Sequence, residues 1–295
     1  MNIIQFTGAI ELGLIYSLVA IGIFLSFRVL KFSDLTVGGS FPLGAAVTVS
    51  LISLEIDPFL ATLAALAAGA LAGWVTATLS IRFKIIDLIA SIITMTALYS
   101  VNIRVMHGQS NLSILGQETL ISKLKPTFAF LGGSYALIAL LVLLVSGISI
   151  LLYLFLSSHY GLALRATGNN ARMARANGIA DGRMIQVGLA LSNALIALAG
   201  SIFAQENSFA DVNINVGIIV VGLTGLILGE TLLSSHRLFL QLFACLVGAI
   251  VNQLLFAVAL NVGDIGLEPT DLNLITAVIL AGAMILPTLR KGTQK

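Results

Sequence analysis

A chain of 295 residues that is 58% hydrophobic and only 9% charged has too few polar side chains to cover a water-facing surface; soluble domains carry about 25% charged residues. With a mean hydropathy of +1.05 it must present apolar faces to lipid, and a single membrane domain over residues 1–295 is the organisation expected. The net charge of +2 gives no basis for nucleic-acid binding, and the lone Cys245 excludes an internal disulfide framework or a multi-cysteine metal site.

A spanning helix needs about 20 largely apolar residues. That template marks nine candidates, at 9–27, 35–53, 59–80, 86–103, 134–156, 185–204, 214–229, 238–260 and 272–288. The chain is thus read as all-α and polytopic, with about eight to ten transmembrane helices. The opening residues MNIIQFTG lack the basic stretch of a secretory signal, so the first span is expected to stay in the membrane.

The second candidate begins VGGSFP. Pro42 removes an amide donor and crowds the preceding turn, and beside Gly38 and Gly39 it predicts a discontinuous or kinked helix near 35–53. The seventh is short and holds Gly217, Gly222, Gly225 and Gly229, which fits a close-packed span or a re-entrant segment. Polar residues interrupt other spans: Thr94, Thr96, Ser100 and Asn102 on the fourth, Ser192 and Asn193 on the sixth, Asn252 and Gln253 on the eighth. Phe41, Pro42, Thr96, Ser100, Asn193 and Asn252 are the candidates to line a translocation path, although such residues also simply hydrogen-bond neighbouring helices. Asp34 and Asp87 open spans, where a carboxylate favours the positive end of the helix dipole. The histidines at 107, 159 and 236 share no metal-ligand spacing, and no cofactor is expected.

Lysine and arginine in short loops fix the orientation. Arg28 and Lys31, Arg82 and Lys84, the loop at 157–184, and Arg290, Lys291 and Lys295 all fall on one side of nine spans, the cytoplasm. Glu55, Asp57, Glu206, Asp211, Asp264 and Glu268 fall on the other. One longer loop, with Arg104, Lys123 and Lys125, runs against the pattern.

The loop at 157–184 is the most informative segment. Its core, YGLALRATGNNARMARANGIADGRM, holds four arginines, Arg165, Arg172, Arg175 and Arg183. Asn170 to Asn177 predicts a short helix, with Asn169 or Asn170 as its N-cap and Gly178 as its left-handed terminator. Two turns of helix are not stable alone in water and need a surface to dock on. Alanines at 171, 174 and 176 give it a narrow profile. An ordinary basic cytoplasmic loop would share this composition.

The segment resembles the coupling-helix region of permeases in the branched-chain amino acid and ribose class of ABC importers. The pattern is close to G-x-A-x-R-A-T followed by A-R-x-x-G-I, here Gly161, Ala163, Arg165, Ala166, Thr167, Ala174, Arg175, Gly178 and Ile179. The helix that follows ends at Leu198, Ala199 and Gly200. Upstream, Phe27, Arg28, Leu30, Asp34 to Val37 and Gly39 to Ala45 are similar to a subgroup linked to tryptophan- and tyrosine-type solutes. The resemblance runs over roughly residues 10–288. It implies a type II importer-like permease of the bacterial inner membrane that forms a homodimer. Two cytoplasmic ATPase subunits and an extracytoplasmic solute-binding protein would be its partners, and Arg165, Asn170, Ala171, Ala174, Arg175 and Gly178 its ATPase-coupling residues. The chain has no G-x-x-x-x-G-K-S/T motif, so the ATPase is expected on a separate polypeptide and the permease itself is not expected to be an enzyme. The alternative is an ion-coupled secondary transporter, which usually carries coupling carboxylates near the bilayer midplane; here the acidic residues sit at span ends.

Overall fold

A computed structural model describes residues 2–126, 133–215, 217–235 and 237–261, with a few positions between 277 and 282. The candidate span at 272–288 lies almost wholly outside the described residues. Among those described, seven helices are long and apolar enough to cross a membrane.

The elements in chain order are α1 (Ile3–Ile23), a π-helical turn (Phe24–Val29), α2 (Val37–Ser53), α3 (Pro58–Phe83), α4 (Asp87–Val105), β1 (Asn111–Ser113) and α5 (Leu120–Leu124). Then come α6 (Gly133–Ser157), α7 (His159–Asn169), α8 (Ala171–Ala176), α9 (Asp181–Asn207), β2 (Phe209–Asp211), a 3₁₀ turn (Val212–Asn215), α10 (Ile218–Leu232) and α11 (Leu238–Asn261). The only sheet among the described residues is the antiparallel pair of β1 and β2, in which Leu112 faces Ala210. Two compact units emerge: Gly22–Thr127 with Ile150–Ile219, and Met1–Ile21 with Phe128–Ser149 and Val220–Lys295.

In the first unit α2, α3 and α9 pack backbone against backbone. A methyl at Gly44 of α2 would strike the Ala197 carbonyl oxygen of α9, and one at Gly73 of α3 would strike the carbonyl of Leu189. Lipid gives apolar helices no hydrophobic reason to associate, so close approach and interhelical hydrogen bonds hold them together. Thr48 donates to Ser201 at 2.7 Å, and the Gln205 amide donates to Thr62 at 2.8 Å. Outward faces are apolar instead: Leu63, Leu71 and Trp74 on α3, and Ile89, Ile92 and Ile93 on α4, are exposed.

α2 runs unbroken through Pro42, which lies in its second turn. The discontinuity expected near 35–53 falls at the head of this helix. The π-helical turn closes with Leu30 N–H donating to Leu25 at 3.1 Å and Phe32 N–H to Ser26 at 2.9 Å. Lys31 then takes a left-handed φ of 56°, and no helix forms until Val37. The 17 residues of α2 span about 25 Å, short of a hydrocarbon core of about 30 Å. The non-helical backbone just ahead of it has Phe32, Asp34 and Thr36 buried, where protein can satisfy its polar groups.

At the other end of α2, Val49 and Ile52 join Met106, Ile114 and Val212 in an apolar cluster. The segment between α4 and α6 is tied there. Leu120 N–H donates to the Gln205 side chain at 2.8 Å, and Lys123 pairs with Asp57, the N-cap of α3, at 3.0 Å.

In the second unit a methyl at Gly229 of α10 would collide with the Ala244 carbonyl of α11, and Gly13 of α1 leaves 2.8 Å to the Ile250 Cα. The glycine-rich seventh candidate is thus closely packed on α11; its helix, α10, covers 15 residues of an apolar stretch of 21, Val212–Leu232.

Candidate functional site

Segment 157–184 folds as two helices set head to tail. Ser158 caps α7, its Oγ accepting from Gly161 N–H at 3.3 Å. Asn170 then ends α7 and starts α8: its backbone is extended, at φ −155° and ψ 95°, and its Oδ1 accepts from Met173 N–H at 3.0 Å. Gly178 takes a φ of +78°. Its N–H donates to Arg175 and that of Ile179 to Ala174, each at 3.0 Å, the paired 5→2 and 6→1 bonds of a Schellman ending. Arg175 Nε meets Asp181 Oδ2 at 3.1 Å, bridging α8 to the first turn of α9. Capped at both ends, this two-turn helix keeps a defined surface.

Of the three alanines, Ala176 alone lies fully on that surface. Ala174 is 3% exposed and packs against its own protein, whereas Met173 is 64% exposed. Arg165, Arg172, Arg175 and Arg183 are exposed, and Ala171 is half-buried. Met173, a long flexible apolar side chain that lies between Arg172 and Arg175 in the chain, was missed in the sequence. The available signal was its place as the one large apolar residue in ARMARA. α7 is amphipathic, burying Gly161, Leu164 and Thr167 against its unit.

The candidate path residues fall in different places. Thr96 and Ser100 share an exposed face of α4, four residues apart, while Thr94 and Asn102 on the same helix are buried. Asn102 Nδ2 donates to the Gly39 carbonyl at 3.2 Å, and its Oδ1 has no hydrogen-bond partner. Phe41 is fully buried, with its ring centroid 5.7 Å from that of Phe203, and Pro42 is buried beside it. Asn252, on α11, is fully buried and neither its oxygen nor its nitrogen finds a partner.

Asn193 belongs to a buried polar network centred on Asp34. Its Nδ2 donates to Asp34 Oδ2 at 2.7 Å, and its Oδ1 accepts from Ser40 Oγ at 2.7 Å. Asp34 Oδ1 accepts from Thr36 N–H at 2.9 Å, and the Thr36 and Thr76 hydroxyls lie 2.8 Å apart. Asp34 is 0% exposed. The dipole explanation suggested by its position is therefore incomplete, because a side chain 159 residues away is its closest hydrogen-bonding partner. Among the described residues no cluster of three or more metal-ligating side chains occurs.

Seven apolar spans and a helical fold held by small-residue contacts define a multi-pass integral membrane protein. Comparison with known proteins supplies the family. Residues 6–289 match the family described as branched-chain amino acid transport system, permease component, and the chain belongs to it. Over 283 residues it is 34% identical to a tyrosine transport system permease protein of Clostridioides difficile, covering 96% of this chain and 91% of the relative. An uncharacterized protein of Rickettsia prowazekii is 33% identical over 276 residues, covering 92% of this chain and 94% of the relative. A ribose import permease protein of Haemophilus influenzae is 26% identical over 234 residues, covering 79% of this chain and 70% of the relative. In bacteria the place of such a permease is the inner membrane.

Proposed function

We propose that this chain is the membrane-spanning subunit of an ATP-driven importer for a small solute of the amino-acid class, with aromatic amino acids as the first to test. The observation that carries this reading is the doubly capped helix α8, which exposes Met173 together with Arg172 and Arg175. A Met side chain adapts to an apolar groove, and arginines steer and fix the contact. Such a surface suits a cytoplasmic ATPase subunit. The tyrosine transport permease among its relatives supports the solute class.

In this reading two copies of the chain form a homodimer with two ATPase subunits, and an extracytoplasmic binding protein delivers the solute. The arginine-rich loop faces the cytoplasm. Arg165, Asn170, Ala171, Ala174, Arg175 and Gly178 shape and hold the coupling segment, and Met173 makes the contact. Thr96 and Ser100 face the path, with Phe41, Pro42 and Asn193 of the same unit behind them; Asn252, on α11 of the other unit, is a separate candidate. The chain performs no covalent chemistry. ATP binding and hydrolysis in the partner move α7–α8 and switch access from one side to the other.

The test is a crosslink. The native Cys245 is buried, so Met173→Cys supplies one reactive thiol at the coupling surface. A short bifunctional reagent is expected to join it to the co-expressed ATPase subunit in membranes, whereas a cysteine at the exposed Thr96 is not. Labelling of Met173→Cys without any crosslink to the ATPase would refute the assignment.

A further inference from the structure

The end of α7 meets the backbone ahead of α2 at a narrow place. Gly168, near the end of α7, has no room for a side chain: a methyl would strike the Val29 carbonyl oxygen and lie 2.8 Å from the Leu30 Cα. Across from it Gly188 of α9 leaves 2.5 Å to the Leu30 Cδ1 and 3.2 Å to Leu164 of α7. Leu30 is thus wedged between α7 and α9. Lys31 Nζ also reaches Asn169 Oδ1 at 3.5 Å.

From Leu30 the chain runs through non-helical backbone into α2, and Asp34 lies on that stretch. The Asp34 carboxylate joins three elements: its own irregular backbone through Thr36, α9 through Asn193, and, through the Asn193 carbonyl oxygen, Ser40 on α2. Burying a carboxylate is expensive, and among the described residues no cation pairs with it. A static joint needs no charge. A joint that must hold one arrangement and release to another gains from directional, charge-assisted bonds that break as a set.

Resting on the importer reading above, we propose that Leu30–Asp34 is the transmission element of the permease. Movement of α7–α8 reaches Val29 and Leu30 through the Gly168 contact. It then passes to α2 through the Asp34–Asn193 latch. Asp34 and Asn193 are therefore positioning residues for α2 and not contacts of the transported solute. Asp34 accepts on both oxygens, and Asn can accept on only one: with its oxygen turned to Asn193 Nδ2 its own amide N–H would face the Thr36 N–H, and turned the other way it would face the Asn193 amide, whose Oδ1 serves Ser40. Exchanging the two residues restores one donor facing one acceptor.

The experiment uses the permease with its ATPase and binding protein in proteoliposomes and L-tyrosine as the probe. Asp34→Asn is expected to lower the tyrosine transported per ATP hydrolysed by about tenfold, with the KM for uptake unchanged, and the Asp34→Asn/Asn193→Asp exchange to recover most of that loss. An unchanged transport-to-hydrolysis ratio in Asp34→Asn, a shift confined to KM, or an exchange variant as poor as the single one overturns the latch. Should Asp34→Asn fail to assemble, hydrogen exchange on the wild-type complex decides instead. Residues 30–36 are expected to change exchange together with 159–176 between nucleotide-free and vanadate-trapped states. A response confined to 159–176 contradicts the proposal. A wild-type complex that takes up no tyrosine on ATP, yet shows the paired exchange response, contradicts the solute class and leaves the latch supported.

Discussion

Two neighbouring side chains on α8 differ sharply in burial, and their substitutions should fail differently. Met173 is largely exposed and Ala174 almost fully buried. Met173→Asp is expected to leave the amount of folded permease unchanged and to reduce solute-stimulated ATP hydrolysis about tenfold, a hot-spot-sized loss. Ala174→Trp should overpack the inner face of α8 and lower the melting temperature of the purified permease. Stimulated hydrolysis measured beside thermal unfolding separates the two. Gly44 is a second sensitive position: Gly44→Leu, driven into the Ala197 backbone, should abolish folded protein altogether, as size-exclusion chromatography in detergent would report. The caps of α8 were legible from sequence because capping is local: Asn170 and Gly178 lie within a residue or two of the helix they bound. The direction of Ala174 was not, because it depends on what α8 docks against. The Asp34–Asn193 contact was beyond local pattern for the same reason, joining positions on separate spans.

At the scale of elements, hydropathy placed the spans that fall within the described residues to within about six residues at either end, since burial in lipid is averaged over about 20 side chains. It placed the break at α2 imprecisely. Pro42 is tolerated inside α2, and the unwinding sits ahead of the helix, at residues with no breaker among them. The loop that ran against the charge pattern also acquires an explanation. Lys123 is paired with Asp57 and Glu118, at 3.0 and 3.6 Å, so its charge is partly balanced where it lies. The Lys123 hydrogen bond holds the Asp57 carboxyl below its ordinary value of 3.8, and Asp57 in turn raises the Lys123 ammonium above 10.5. A lowered carboxylate stabilises the folded state above its ordinary pKa and loses that contribution as pH falls through the folded value. A raised ammonium does so below its ordinary pKa and loses it as pH rises through the folded value. Protection of residues 117–125 against hydrogen exchange, corrected for intrinsic rate, should therefore be flat from about pH 5 to pH 9 and fall only outside that window. Because the pair is exposed the drop should be small, and Lys123→Met should produce it at neutral pH.

For the molecule as a whole, the contrast between spans is as informative as their number. The window through α9 is 78% buried, while those through α4 and α6 are 28% buried. α9 is thus a central helix of its unit, and α4 and α6 are free to face lipid or another subunit. With Cys245 buried, single cysteines report sidedness cleanly: one at Asn170 is expected to react only from the cytoplasm and one at Asp211 only from outside. The central claim is that ATP, and not an ion gradient, drives solute through this chain. Its most direct test is uptake of labelled tyrosine into proteoliposomes holding the permease, its ATPase and its binding protein. Accumulation is expected to require ATP on the α8 side, to stop with vanadate and to survive ionophores that collapse ion gradients. Uptake that persists without ATP and disappears with the ionophores would contradict the account.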